Sequence, residues 1–100
     1  MSDTVFELNG TILTVKPAGA LDSITSPAFE EELRREMPGA GMLIIDLEKV
    51  NYISSAGLRV ILAAEQYQEK QNAGMKVIHV SESIMEIFEM VGFLDVIMVE

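Results

Sequence analysis

Residues 42–58 read MLIIDLEKVNYISSAGL, and this stretch decides how the chain is expected to fold. Its first six residues are apolar apart from one aspartate, which is typical of a central parallel strand buried on both faces. A helix is predicted to follow over residues 57–72, so the hydroxyls of Ser54 and Ser55 stand just before its first turn. The stretch predicts a strand, a connection and a helix with two adjacent serines at its start.

The rest of the chain predicts further strands and helices on both sides of this unit. Asn9-Gly10 separates two short strand-like segments and favours a type I′ hairpin turn. One helix is predicted after Asp22, and another is predicted after Ser81 or Ser83. The order is an N-terminal hairpin followed by βαβαβαβ, which predicts an α/β fold with a mixed β-sheet and packed helices. The predicted strands are 5–8, 11–16, 42–47, 75–80 and 96–99.

Length, charge and composition limit the classes of function. One hundred residues suit a single domain over residues 1–100. The net charge of −9 opposes nucleic-acid phosphates and anionic lipids, so neither is an expected direct partner. The longest apolar run, residues 60–64, is too short for membrane insertion, and the first residues lack the pattern of a signal peptide. We therefore expect a cytoplasmic protein.

The sequence contains no arrangement of side chains that is typical of an enzyme. There is no cysteine, which excludes disulfides and thiolate metal ligands. The one histidine, His79, is expected inside an apolar strand as a structural residue. A nucleophile elbow at Ser55 would need glycine where Ile53 stands. We therefore predict no catalytic residue, no metal site and no cofactor.

Small polar residues are predicted to meet at one edge of the sheet. Asp22-Ser23, Ser54-Ser55 and residues 81–83 each follow a strand and precede a helix, and open α/β folds place ligands at this edge. At the start of the second main helix, free N–H groups and the helix dipole would favour a phosphate. A helix cap explains one serine. The second serine is not explained in this way. Gly57 in the first turn of a helix costs roughly 1 kcal/mol of helix stability relative to alanine. Both features favour the close approach of a phosphate or a partner to the backbone.

The first two turns of the same helix are apolar on almost every side. We expect more apolar surface here than one face of the sheet can bury, so part of it would remain exposed beside Ser55 as a docking surface. Burial under neighbouring helices is the alternative. The apolar residues are Leu58, Val60, Ile61, Leu62, Ala63 and Ala64.

Three motifs resemble one known family. The pattern DLxxVxYISSAGLxV at residues 46–60 resembles the signature of the STAS domain, and in particular the short anti-sigma factor antagonists of bacteria. GxLD at residues 19–22 is similar to the family's first loop, and FxxxGFxxxI at residues 88–97 resembles its closing segment. The resemblance implies the STAS fold over nearly the whole chain.

The resemblance also implies a regulatory function by partner switching. Such antagonists bind an anti-sigma factor that is also a serine kinase, and this releases a sigma factor. The kinase then phosphorylates the antagonist, the complex dissociates, and a PP2C-type phosphatase resets the cycle. The alternative within the family is a non-switching STAS subunit of an ABC lipid-transport complex or of a stress-sensing scaffold.

The family motif assigns roles to residues of this chain. It implies Ser55 as the phosphorylated residue, with Ser54 as the alternative because Ser54 occupies the position of the family's aspartate. Asp22 corresponds to an acidic residue that faces the site. The implied partner-binding residues are Asp22, Ser23, Ser54, Ser55, Ala56, Gly57, Leu58, Arg59 and Ile61.

Overall fold

The computed structural model describes residues 3–100 of the chain. This range contains seven β-strands and three α-helices. The expectation about a signal peptide falls partly on residues 1 and 2, which lie outside this range. No helix in the described range is long and apolar enough to span a bilayer. The elements are β1 Val5–Asn9, β2 Ile12–Lys16, β3 Ala18–Leu21, α1 Ser26–Glu36, β4 Met42–Asp46, β5 Lys49–Ile53, α2 Ser55–Lys70, β6 Gly74–Ile78, α3 Glu82–Met90, a 3₁₀ helix Phe93–Asp95 and β7 Met98–Val99.

The main sheet has five strands in the order β1-β2-β4-β6-β7. β1 is antiparallel to β2, and the other neighbours are parallel, so the predicted mixed sheet with the hairpin at one end is confirmed. The hairpin turn was predicted one residue too early, because Asn9 pairs with Ile12 and leaves Gly10-Thr11 as the loop. Gly10 has φ +64° and Thr11 does not have a positive φ, which fits type II′ and not type I′.

One face of the main sheet carries the core. Alternate residues of the three central strands are buried on that face, as the two-residue period of a strand requires. They belong to the same apolar cluster as the buried stripes of all three helices. The strand residues are Leu13, Val15, Leu43, Ile45, Met75 and Val77, and the helix residues include Phe29, Leu33, Ile61, Ile84 and Phe88.

A second, two-stranded sheet was missed by the sequence analysis, and this sheet positions the functional site. β3 and β5 pair in parallel, with Leu21 opposite Ile53. Pro17 lacks an N–H group and separates β2 from β3. The sequence of β3, Ala-Gly-Ala-Leu, has little strand propensity, so its strand depends on the pairing with β5.

The helices begin and end close to the predicted positions. α2 begins at Ser55, two residues earlier than predicted. The Oγ of Ser81 accepts a hydrogen bond from the N–H of Ile84 at 3.3 Å, so Ser81 caps α3 while Ser83 lies inside the helix. Gly92 follows α3 with φ +75°, a left-handed conformation that favours glycine.

Candidate partner-binding and phosphorylation site

The loops after β3 and β5 lie side by side because the two strands are parallel and end together. The N–H of Ser54 donates to the carbonyl oxygen of Leu21 at 2.9 Å. Asp22-Ser23 and Ser54-Ser55 each follow the paired residues Leu21 and Ile53 directly. These two pairs were predicted to be neighbours, and the structure brings them together.

The two serines have different environments. The Ser54 hydroxyl donates to the carbonyl oxygen of Leu21 at 3.4 Å, and it makes no capping hydrogen bond to α2 although Ser54 is the N-cap residue. Ser55 is the first residue of α2 and is exposed. Its hydroxyl has no hydrogen-bond partner within residues 3–100. Ser55 therefore presents the more accessible hydroxyl.

The start of α2 also presents unpaired backbone donors. The first hydrogen bond of the helix runs from the N–H of Leu58 to the carbonyl oxygen of Ser54 at 3.0 Å. The N–H groups of residues 55–57 have no acceptor within residues 3–100. Free N–H groups and the positive end of the helix dipole stabilise an anion at this position.

Asp22 places a fixed negative charge in the neighbouring loop. Its Oδ1 accepts hydrogen bonds from the N–H groups of Ile24 at 2.9 Å and Thr25 at 3.0 Å. The hydrogen bonds from Thr25 and then Ile24 hold the pKa of Asp22 below its usual range. Asp22 is therefore ionised at neutral pH.

Gly57 is explained by packing inside the protein, which corrects the sequence-based interpretation. A Cβ at this position would lie 2.7 Å from the Leu21 carbonyl oxygen and 2.8 Å from Cγ1 of Ile53. α2 can pack against the end of β3 only if this residue has no side chain. The close approach is made by the chain itself, and it is not reserved for a phosphate or a partner.

The apolar surface beside Ser55 differs from the predicted one. Val60 and Ile61 are buried in the core, so the prediction that Ile61 contacts a partner was wrong. Leu58 is half-buried, and Arg59 is exposed. Two exposed apolar side chains that the sequence analysis did not assign to the site lie next to its loops: Ile24, 84% exposed, and Tyr52, 54% exposed.

The position of Ile24 was itself a signal that could have been used. It is the only large apolar residue in the loop between β3 and α1, where the other residues are small and polar. Of the remaining predicted residues, Ser23 is exposed and Ala56 is half-buried.

The third predicted loop follows a strand of the other sheet and has no hydrogen bond or ion pair to this site within residues 3–100. Ser81 and Ser83 follow β6, which belongs to the five-stranded sheet, whereas the site follows the two-stranded sheet. Their hydroxyls lie 3.3 Å apart, and within residues 3–100 no hydrogen bond or ion pair connects them to Asp22, Ser54 or Ser55. Their observed role is to begin α3.

A separate polar cluster lies at the ends of β4 and β6. His79 was predicted inside the strand, but β6 ends at Ile78, so His79 lies just beyond it with φ +56° and is exposed. Its Nδ1 lies 2.9 Å from Oδ1 of Asp46. Burial raises the pKa of Asp46, but hydrogen bonds from the Glu48 N–H and from His79 outweigh this effect and lower it below its usual range.

This cluster is also the one group within residues 3–100 with three metal-ligating side chains close together. One ligand atom from each of Asp46, Glu48 and His79 lies within 4.8 Å of the others. Oδ1 of Asp46 already accepts hydrogen bonds from the Glu48 N–H and from His79. These hydrogen bonds within the protein hold the three side chains together, so a structural role in the turn explains their arrangement.

Comparison with known proteins identifies the family. The model of the STAS domain family matches residues 4–100. This chain belongs to the STAS domain family. The anti-sigma-B factor antagonist of Bacillus subtilis is 29% identical over 89 residues, which cover 89% of this chain and 82% of that protein.

Solved structures share the STAS fold of this chain. An anti-sigma factor antagonist from Mycobacterium paratuberculosis superposes with a TM-score of 0.89 at 22% identity, covering 99% of this chain and 85% of that one. The phosphorylated form of SpoIIAA, a Bacillus cell fate determinant, superposes with a TM-score of 0.75 at 16% identity. The match covers 97% of this chain and 90% of that one. These likenesses confirm the predicted STAS fold.

The residues that resembled the STAS signature form one continuous structural unit. Residues 46–60 include the end of β4, all of β5 and the first turns of α2. The other early motif, residues 19–22, forms most of β3 and the residue that follows it. The two motifs of this STAS domain therefore meet at the two-stranded sheet and its adjoining loops.

Proposed function

We propose that this STAS domain is an anti-sigma factor antagonist, a regulatory binding module and not an enzyme. It binds an anti-sigma factor that is also a serine kinase, and this binding releases a sigma factor in the bacterial cytoplasm. The observation that carries the proposal is the exposed hydroxyl of Ser55, which has no hydrogen-bond partner within residues 3–100 and lies beside the open N–H groups of α2. The name of the Bacillus subtilis relative supports the same function.

The contact surface consists of side chains around the two adjoining loops. Ile24, Tyr52 and Leu58 provide the apolar part, and Asp22 and Arg59 provide charges of opposite sign. Ser23, Ser54, Ser55 and Ala56 complete the surface. Ile61 is excluded because it is buried, and Gly57 contributes only backbone.

Phosphorylation of Ser55 acts as the switch. A phosphate adds a charge of about −1.5 to −2, which the start of α2 stabilises, so the fold is retained. A partner resting on the surrounding apolar surface must then desolvate this charge next to the ionised Asp22. A loss of about 3 kcal/mol from the complex weakens binding more than a hundredfold. A PP2C-type phosphatase reverses the change.

Ser55 is preferred to Ser54 as the phosphorylated residue. Ser54 is half-buried and its hydroxyl is hydrogen-bonded to Leu21, whereas the Ser55 hydroxyl has no partner among the residues that the structure describes. The solved phosphorylated form of SpoIIAA, which has the same fold, supports a phosphorylation switch in this kind of protein.

Transfer of labelled phosphate from ATP tests the proposal. The anti-sigma factor kinase proposed as the partner is incubated with wild type, Ser54→Ala and Ser55→Ala. Binding of each variant to this kinase is measured with and without ATP. We expect Ser54→Ala to be labelled and Ser55→Ala to remain unlabelled and bound when ATP is present. Full labelling of Ser55→Ala would refute the assignment of Ser55. Labelling of none of the three would favour the non-switching STAS subunit.

A further inference from the structure

A groove lies between the second half of α1 and the C-terminal part of α2. Its volume is about 250 Å³. The residues of α2 that line it fall between positions 60 and 70, whereas Ser55 is at the opposite end of the same helix. The groove is therefore a concave surface separate from the proposed switch.

The floor of the groove is apolar and belongs to the packed core. Four of its five apolar side chains are buried, and Ala63 is half-buried. The two alanines have one-carbon side chains, so α2 leaves room beside α1 at this level. An apolar group that enters the groove is removed from water against this floor, which is favourable. The floor consists of Leu33, Met37, Val60, Ala63 and Ala64.

The rim of the groove carries one positive charge that has no ion-pair partner. Three charged side chains line the groove: Glu30, Arg34 and Lys70. Nη2 of Arg34 lies 3.7 Å from Oε2 of Glu30, so these two charges offset each other. Within residues 3–100, Lys70 makes no ion pair and the hydroxyl of Tyr67, which also lines the groove, makes no hydrogen bond. Both groups are available to a ligand.

Size and charge together select the kind of ligand. A cavity of about 150 Å³ accommodates one benzene molecule, so this larger groove suits about eight to ten non-hydrogen atoms. A protein partner would need a much larger contact, of about 800 Å² on each side. Tyr67 and Lys70 are three residues apart on α2, which makes them neighbours on the helix surface. The phenol and the ammonium can therefore donate hydrogen bonds to one carboxylate.

We propose that the groove between α1 and α2 binds a free medium-chain carboxylic acid. The alkyl chain lies on the apolar floor, and the carboxylate accepts hydrogen bonds from Nζ of Lys70 and the hydroxyl of Tyr67. The ligand is an anion although the chain carries a net charge of −9, because the uncompensated charge at this rim is positive. The chain then has a small-molecule site near the end of α2 and a protein-binding site near its start.

The test titrates the full chain with octanoate and follows the backbone amide signals by NMR. Octylammonium, which has the same alkyl chain and the opposite charge, is the ligand control. Lys70→Glu reverses the charge at the rim, and Ala63→Leu fills the floor. The matched control is Lys49→Glu, which reverses the charge of an exposed lysine on β5 outside the groove. Circular dichroism confirms that each variant is folded.

We expect octanoate to shift the signals of the groove residues and to bind wild type and Lys49→Glu equally, with a Kd of about 1 mM or below. Lys70→Glu and Ala63→Leu should each weaken binding at least about tenfold. Octylammonium should not shift the signals of the groove, although the net charge of the chain attracts it.

Three results would overturn the proposal: no octanoate binding at about 10 mM, equal shifts in the groove by both amphiphiles, or the same loss in Lys49→Glu as in Lys70→Glu. A dimer in analytical ultracentrifugation that Ala63→Leu abolishes would assign the groove to a second copy of the chain instead. Because no kinase or ATP is present, failure here leaves the proposed switch unaffected.

Discussion

Gly57→Ala tests whether this glycine serves internal packing or an external partner. The added Cβ would lie 2.7 Å from the Leu21 carbonyl oxygen, 2.8 Å from Ile53 Cγ1 and 2.9 Å from Leu21 Cβ. Since the nearest atom belongs to the backbone, relief requires α2 to move away from β3. Overpacking of this kind costs up to about 3 kcal/mol, and the higher helix propensity of alanine returns about 1 kcal/mol. We therefore expect a net loss of about 2 kcal/mol.

Urea and thermal unfolding followed by circular dichroism measure this loss. For a chain of this length, about 2 kcal/mol corresponds to a decrease in Tm of roughly 10 °C. Ala56→Gly is the neighbouring control, and it should cost no more than about 1 kcal/mol through helix propensity alone. If the glycine were required only by an external partner, Gly57→Ala would be as stable as wild type or more stable. That result would refute the packing explanation.

Three further predictions concern the serines, the polar cluster around Asp46 and the contact surface. Ser55→Ala should change the free energy of unfolding by less than about 0.5 kcal/mol, because its hydroxyl has no partner in the described range 3–100. Ser54→Ala should lose about 0.5–1 kcal/mol with its hydrogen bond to Leu21, and chemical denaturation distinguishes the two variants. Because the pKa of Asp46 is lowered in the folded protein, its ionised carboxylate stabilises the fold above the usual aspartate pKa, and this contribution is lost as the pH falls through the lower folded-state pKa. Unfolding measured at several pH values should therefore show that the stability difference between wild type and Asp46→Asn shrinks in acid. A difference that stays constant with pH would contradict the ionic explanation. Ile24→Ser and Tyr52→Ser should each leave Tm nearly unchanged but weaken binding to the anti-sigma factor about tenfold by calorimetry, and unchanged affinity would place the contact elsewhere.

The main sheet and its helices were predictable because their signals are local. The apolar run at residues 42–47 and the spacing of Phe29 and Leu33 indicate a buried strand and a helix without any knowledge of distant contacts. The two-stranded sheet was not predictable in this way. β3 consists of residues with weak strand propensity, and its pairing with β5 joins segments about thirty residues apart in sequence.

The prediction of a candidate site at the start of α2 follows from local sequence, but the geometry of that site depends on non-local contacts. Sequence order places Ser54 and Ser55 side by side and does not separate their roles. Their environments differ because the Leu21 carbonyl oxygen, 33 residues away from Ser54 in sequence, accepts a hydrogen bond from the Ser54 hydroxyl, whereas the Ser55 hydroxyl has no partner within residues 3–100. The burial of Ile61 likewise follows from the packing of α2 on the core and not from the composition of the helix.

Leu21 connects the parts of the proposed switch physically. Its carbonyl oxygen accepts the N–H and the hydroxyl of Ser54, and the absence of a side chain at Gly57 allows α2 to lie against it. Asp22 follows directly, and its carboxylate is fixed by its own loop. A phosphate on Ser55 would therefore add charge to a surface whose backbone is already fixed on both sides. The expected consequence is loss of the partner through desolvation and repulsion, without rearrangement of the fold.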